Sequence, residues 1–349
     1  MKRAKMAEKI LVVGMGSMGT RHLQIAREQF PNSEIKVLVH RELSEISELS
    51  NGTLVTTEEV VQFAPEIAII ANPSSLHVTI AQTLAQIGVH LLIEKPLSNS
   101  LEGVHELIET CRENKCILLM GYNLRYLRSL QEFRELLRAG MLGEVLSVRC
   151  EVGQYLPNWR RDRDYRNGVS ARKELGGGVL LELSHEIDYL RWIFGDVDWV
   201  RATLTQQSSL EIDVEDSAHL TLGFSSKTNQ GQLIGTLNMD FVRHDQTRVC
   251  TAIGSRGSLR WDGIAGEVSM FEEGASSWKK LFTHSPPMNE TYLAEWREFI
   301  SCINMGTTPS VTGQDGLKVL EIIESARTSA ATGIQVSVSQ IQHSNWINK

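Results

Sequence analysis

Ile10-Leu11-Val12-Val13-Gly14-Met15-Gly16-Ser17-Met18-Gly19 joins an apolar run of strand length to three glycines spaced G-x-G-x-x-G. Where a strand turns into a helix, this spacing builds a pyrophosphate-binding loop. Gly14 permits the tight turn, Gly16 lets the backbone approach the phosphates, and Gly19 lets helix and strand pack closely. Ser17 and Met18 open the helix, so the phosphates would meet its free N–H groups and positive dipole end. An ordinary turn is the alternative, because glycines also punctuate plain loops. The clean strand before the glycines and the helix-compatible residues 20–27 after them favour the dinucleotide reading.

Working outward, strand and helix patterns alternate as far as Asn123. Glu34–Val39, Thr53–Val55, Glu66–Ala71, Val89–Ile93 and Cys116–Met120 read as further strands, and Leu76–Gln86 and Leu101–Glu113 as helices. That alternation predicts a parallel, doubly wound sheet. The second strand runs into His40-Arg41, about 20 residues past the glycines, where ribose recognition sits in such domains. A cation there suits a 2′-phosphate, so NADP is favoured, while the neighbouring Glu42 keeps NAD open. Arg41 could equally be a solvated loop cation.

After Asn123 the pattern changes. A helix over Arg125–Arg138 is followed by strand-like segments at 145–150, 218–222, 232–239, 249–253 and 258–261, with no helices between the later ones. This predicts an α+β domain with an open, mainly antiparallel sheet, one face free for subunit contact. Helices at 290–304 and 316–332 complete it. The division is therefore 1–123, a Rossmann domain, and 124–349, a substrate-binding and oligomerisation domain.

The bulk numbers fit two globular domains: 349 residues, 42% hydrophobic and 22% charged. A net charge of −7 argues against general nucleic-acid or anionic-membrane binding. Five scattered cysteines lack zinc-ligand pairing, so no metal is expected and reduced thiols are. The basic start has no apolar leader segment and no stretch reaches transmembrane length, which points to the cytoplasm.

A second stretch carries chemistry. Gly176-Gly177-Gly178 introduces a helix read as running to Phe194 and stopped by Gly195. Leu180, Leu183, Ile187, Leu190 and Phe194 share its core face, while Glu182, His185 and Tyr189 fall on the other side as neighbours. Asp188 can flank the imidazole. A partly buried histidine held for packing is the competing reading. Upstream, Tyr155, Trp159, Arg160, Arg161, Arg163 and Arg166, with Asp162 and Asp164, form an irregular loop suited to an anion or sugar. Self-paired loop charges are the alternative.

The order of these motifs, with Asn72-Pro73-Ser74-Ser75-Leu76-His77, Glu94-Lys95-Pro96 and His185-x-x-Asp188, resembles the Gfo/Idh/MocA oxidoreductase family over nearly the whole chain. Some features also resemble family members from bacterial surface-sugar pathways. The resemblance implies a nicotinamide cofactor, sugar-type substrates and homodimers or homotetramers. It places Asn72, Pro73, His77, Glu94, Lys95 and Asn123 with the glycines at the cofactor, and Lys95, Tyr155, Trp159, Arg160, Arg163 and His185 at the substrate. Lys95 then supplies positive charge and His185 exchanges the proton, with Glu182 and Tyr189 as secondary candidates. One departure stands out: the family's usual Asp four residues before this His is Leu181 here, and Glu182 sits three before. The expected reaction is hydride transfer between nicotinamide and a secondary alcohol or ketone of a sugar, sugar acid or nucleotide sugar. An NAD-dependent glycosidase working by oxidation and elimination, or a non-catalytic NADP-binding regulator, are the alternatives. Retention of both Lys95 and His185 argues against the regulator.

Overall fold

A computed structural model describes residues 7–39, 49–160, 163–228, 231–339 and 341. The chain divides into two units, Met1–Tyr122 with Leu293–Leu320, and Asn123–Tyr292 with Glu321–Lys349.

The first unit is the parallel α/β domain that the glycine-rich stretch predicts. Its elements are β1 (Lys9–Val13), α1 (Ser17–Gln29), β2 (Glu34–Leu38), β3 (Thr53–Leu54), α2 (Thr57–Phe63), β4 (Ile67–Ile70), α3 (His77–Gln86), β5 (His90–Glu94), α4 (Val104–Glu113) and β6 (Leu118–Gly121). Among the described residues the six strands order as β3-β2-β1-β4-β5-β6, each neighbour parallel. Strands covered on both faces need apolar side chains throughout rather than alternately. Accordingly every residue of β4 and all but the first of β1 are buried. Helix α2, absent from the sequence reading, starts with a capping box: the Glu59 N–H donates to Thr56 Oγ1 and the Thr56 N–H to Glu59 Oε2.

The second unit contains α5 (Arg128–Arg138), β7 (Val145–Gly153), α6 (Val179–Glu182), α7 (His185–Phe194), β8 (Val197–Thr205), β9 (Ser217–Thr228), β10 (Gly231–Asp240), β11 (Thr247–Gly254), β12 (Gly257–Asp262), β13 (Glu267–Glu272) and β14 (Lys279–Thr283). The chain continues through α8 (Glu290–Met305) and α9 (Gly313–Thr332) to β15 (Val336–Ser337). Nine described strands order as β14-β13-β12-β11-β7-β10-β9-β8-β15, and only β7 and β10 pair in parallel. Burial along β10 follows a period of two, the mark of a sheet with one covered face. Among the described residues no helix is long and apolar enough to cross a membrane.

Both late helices follow the second domain in sequence, and by spatial contact Leu293–Leu320 groups with the first unit. The reason is the exposed edge of β6. The Met120 N–H donates to the Val311 carbonyl at 3.0 Å, and Leu119 bridges Thr312, so the returning chain caps a strand edge that would otherwise be unpaired. Trp296 and Phe299 are buried on the same segment.

That segment also buries a carboxyl group. Glu295 is 0% exposed, and among the described residues neither of its carboxylate oxygens has a hydrogen-bond partner. Burial, and then the Glu94 charge, hold it well above the usual carboxylate value. A folded pKa raised above the unfolded value of 4.5 costs nothing below that pH and destabilises progressively as pH rises through and beyond it. Glu295→Gln removes this titration. Its Tm relative to the parent chain should therefore increase between about pH 5 and pH 8. Thermal melts at both pH values check this, and an unchanged Tm difference would contradict it.

Candidate active site

The parallel register builds the candidate site of the first unit. Val13 lies opposite Ile70, and Ile70 opposite Ile93, so these residues form one row across β1, β4 and β5. Gly14, Ala71 and Glu94 follow that row directly, with Asn72 and Lys95 one step further. Two strand spacings separate the outer pair, about 10 Å. This is the carboxyl edge of an open α/β sheet, at the point between β1 and β4 where strand order reverses, the place where such sheets bind ligands.

The three glycines of the loop have different reasons for being glycine. Gly14 has φ +88°, and a Cβ there would stand 2.8 Å from the Asn72 backbone. At Gly19 a Cβ would stand 1.9 Å from the Gly14 carbonyl oxygen. Gly16 differs. Its φ of −75° and ψ of −172° suit any residue, and a Cβ would meet nothing within 4 Å. Neither backbone conformation nor internal packing requires glycine there, so the cradle fits a group approaching from outside the chain. Gly16 also leaves the first turn of α1 without a side-chain cap, and that turn carries no acidic residue. His40 and Arg41 lie outside the described residues.

Three expected cofactor contacts, His77, Glu94 and Asn123, have partners within the chain. His77 is 1% exposed; its Nδ1 lies 2.9 Å from the Pro96 carbonyl oxygen and its Nε2 2.8 Å from that of Asn72. It clamps the Asn72–Pro73 turn to the Pro96 turn, and burial lowers its pKa. Glu94 turns inward, with Oε1 2.8 Å from His22 Nε2 and Oε2 accepting the Lys95 N–H at 3.2 Å. Lys95 itself is half-buried. Asn123 begins the second unit and donates from Nδ2 to Thr291 Oγ1 at 2.9 Å.

In the second unit the triple glycine is shaped by packing. A Cβ on Gly177 would meet the Val169 carbonyl oxygen at 2.3 Å, and one on Gly178, at φ +105°, would meet Glu215 Oε1 at 2.5 Å. The space admits the Glu215 carboxylate, which accepts the Leu180 N–H at 3.1 Å and anchors the start of α6. The expected continuous helix is broken: α6 ends at Glu182 and α7 begins at His185, with Leu183 at φ −101°, ψ 25° between them. No glycine or proline marks this break. Glu182 and His185 therefore end one helix and begin the next, and their spacing along a single helical wheel does not apply.

His185 is half-buried at the start of α7, whereas Tyr189 is 0% exposed. The Tyr189 hydroxyl lies 2.9 Å from Cys150 Sγ, and its ring packs edge-on to Trp261 at 5.3 Å. Tyr189 thus packs in the core, one turn after His185 on α7. Asp188 accepts from both arms of Arg125, Nε at 2.8 Å and Nη2 at 2.5 Å, a buried bidentate pair that ties the chain before α5 to α7.

The loop over residues 154–166 is part site candidate and part self-paired. Trp159 donates from Nε1 to the Gln154 carbonyl at 3.0 Å and packs edge-on to Phe241; Tyr155 stacks near His244 at 4.4 Å. Arg166 binds Asp164 at 2.8 Å and Glu211 at 3.3 Å, so its charge is already offset. Arg161 and Asp162 lie outside the described residues. Arg160 and Arg163 are exposed.

Residues 8–122 match the model of an oxidoreductase family's NAD-binding Rossmann fold, and residues 134–338 that family's C-terminal alpha/beta domain. Myo-inositol 2-dehydrogenase of Thermotoga maritima is 23% identical over 349 residues, covering 95% of this chain and 99% of its own. Levoglucosan dehydrogenase in complex with NADH and L-sorbose aligns with a TM-score of 0.82 at 19% identity, over 96% of this chain and 99% of its own. The WlbA dehydrogenase of Bordetella pertussis, in complex with NADH and UDP-GlcNAcA, aligns at 0.76 and 20% identity, over 94% and 98%. At such identities the structural likeness speaks for the fold.

Two variants separate the roles of these glycines. Gly19→Ala should lower Tm by several degrees, because its Cβ collides with backbone. Gly16→Val should change stability by no more than about 1 kcal/mol, the scale of an altered helix cap, yet lose dinucleotide binding in calorimetry. Unchanged binding in Gly16→Val would overturn the assignment of the loop.

Proposed function

We propose, from the premise that the chain belongs to the Gfo/Idh/MocA oxidoreductase family, that it transfers a hydride between a nicotinamide cofactor and a secondary alcohol or ketone of a sugar-type substrate. The observation that carries this reading is the open Gly16 on the same sheet edge as Lys95. When bound, the nicotinamide supplies the hydride acceptor or donor. Gly14, Gly16 and Gly19, with the first turn of α1, hold the pyrophosphate. The choice of NADP over NAD is assigned to Arg41 with His40, and Arg41→Ala should weaken NADP far more than NAD.

Oxidation of a secondary alcohol releases a proton as well as a hydride. His185 accepts that proton, since imidazole titrates in the useful range. Lys95 stabilises the developing alkoxide by its charge. In the reverse direction the same groups donate to and polarise a carbonyl. Glu182 is kept as the secondary candidate.

Arg160 and Arg163, with Tyr155 and Trp159, give the substrate loop cations and aromatic faces. This favours an anionic sugar, either a sugar acid or a nucleotide sugar. The related WlbA dehydrogenase structure contains UDP-GlcNAcA, which is consistent with that choice. A homodimer or homotetramer is proposed for the assembly, to be checked by light scattering.

The experiment is an absorbance screen for nicotinamide reduction or oxidation over free sugars, sugar acids and nucleotide sugars, with NAD and NADP. Net nicotinamide change is expected; release of a sugar from a glycoside without net change would overturn the dehydrogenase reading. With a turned-over substrate, His185→Ala should lose about 10²–10⁴ in kcat at near-normal cofactor affinity. Retention of more than about a tenth would move the base elsewhere. KM should rise with added salt, because exposed charge pairs are screened; a salt-independent KM would contradict an anionic substrate.

A further inference from the structure

A buried polar chain leads to the amide of Lys95. Trp296 Nε1 lies 3.0 Å from His22 Nδ1, and His22 Nε2 lies 2.8 Å from Glu94 Oε1. The other Glu94 oxygen accepts the Lys95 N–H at 3.2 Å. His22, Trp296 and Glu94 are 0%, 1% and 6% exposed.

The chemistry of the donors fixes the direction of this chain. An indole N–H can only donate, so His22 Nδ1 must accept and the imidazole proton sits on Nε2. That proton points at Glu94. The carboxylate, held from one side by His22, accepts from the following residue's amide on the other, which sets the backbone direction from which Lys95 leaves β5. The facing strand makes room for the inward turn: a Cβ on Gly121 would stand 3.0 Å from Glu94 Cα and 3.1 Å from Glu94 Oε2.

We propose that His22 and Trp296 are positioning residues for Lys95, acting through Glu94 to orient the end of β5. The proposal rests on the role given to Lys95 above. An apolar trio would fill the same space without the demand that every buried donor and acceptor be matched. What the polar chain adds is direction, because each hydrogen bond specifies the orientation of the next group, and the last group is the lysine's own amide.

The test compares His22→Leu, His22→Gln, Trp296→Phe and Lys95→Met. His22→Leu removes both hydrogen bonds. Gln can still donate to Glu94 from its amide nitrogen. Trp296→Phe removes the donor that fixes the imidazole tautomer while leaving an aromatic ring to fill the space. With a substrate turned over by the parent chain, His22→Leu and Trp296→Phe should lose about tenfold to a hundredfold in kcat, the scale of a small misplacement of a reacting group. KM and the dinucleotide Kd should stay within about twofold, and His22→Gln should recover most of the loss. A second readout needs no turnover: in the reductively ¹³C-methylated protein, the Lys95 resonance, assigned by its absence in Lys95→Met, should move in His22→Leu and Trp296→Phe while the other lysine signals stay. If His22→Leu does not fold, Trp296→Phe with the same two readouts carries the test.

Parent-like kcat and an unmoved Lys95 resonance in the folded variants would overturn the proposal. So would a loss confined to Tm, since that is what packing alone predicts. If Lys95→Met keeps its activity, the catalytic role of Lys95 falls instead, and the resonance alone decides whether His22 and Trp296 orient it.

Discussion

The parallel pairing of β4 between β1 and β5 is the constraint on which the rest of the first unit depends. Side by side and running the same way, the three strands end in one row, Val13, Ile70 and Ile93. Whatever follows them arrives at one edge regardless of the distance in sequence. Gly14, Asn72 and Lys95 are far apart along the chain, and the register alone makes them neighbours on the edge. That register is specified by strands buried on both faces, so the apolar runs that build the core also assemble the site.

The glycines show how a ligand's demand differs from the chain's own. Gly14 and Gly19 are required by a positive φ and by backbone contact, and would be required with no ligand at all. Gly16 meets no internal demand. A sequence motif merges the three, because all read as the same letter. The folded backbone separates a glycine that the fold needs from one whose missing side chain leaves room for something else.

Much of the first unit was legible because its signals are local. A strand ending in glycines, alternating periods and a Gly after α3 all act within a few residues, and the predicted strands of both domains form near their expected positions. What was not legible depended on distant partners or on weak local signals. The Leu293–Leu320 return is dictated by the open edge of β6, which no stretch near residue 293 records. Tyr189 sits at a helical spacing from His185 that suits a shared face, but Cys150 and Trp261 draw it into the core. The break at Leu183–Ser184 carries no glycine or proline. Helix α2 is hard to read from sequence although Thr56-x-x-Glu59 announces its capping box, because its apolar pattern is short. His22 carries no local signal, because only its meeting with Glu94, 72 residues later, gives it a task.

Both candidate catalytic residues stand beside buried polar anchors, and the two anchors work by one principle. In the first unit Trp296, His22 and Glu94 lead to the amide of Lys95. In the second, Arg125 grips Asp188 one turn beyond His185, and Glu215 holds the start of the helix before it. Hydrophobic contacts are non-directional and tolerate small rotations, whereas a buried ion pair or hydrogen-bonded chain is costly to break on one side, about 3–5 kcal/mol for a charged pair. Apolar burial can thus stabilise a strand end or a helix turn without settling its orientation to within a fraction of an ångström. Proton and hydride transfer need that precision. Directional groups placed next to Lys95 and His185, inside elements whose stability comes from Ile, Leu and Val, divide the work: the apolar core sets where each element lies, and the polar anchors set which way its reactive residue leaves the backbone.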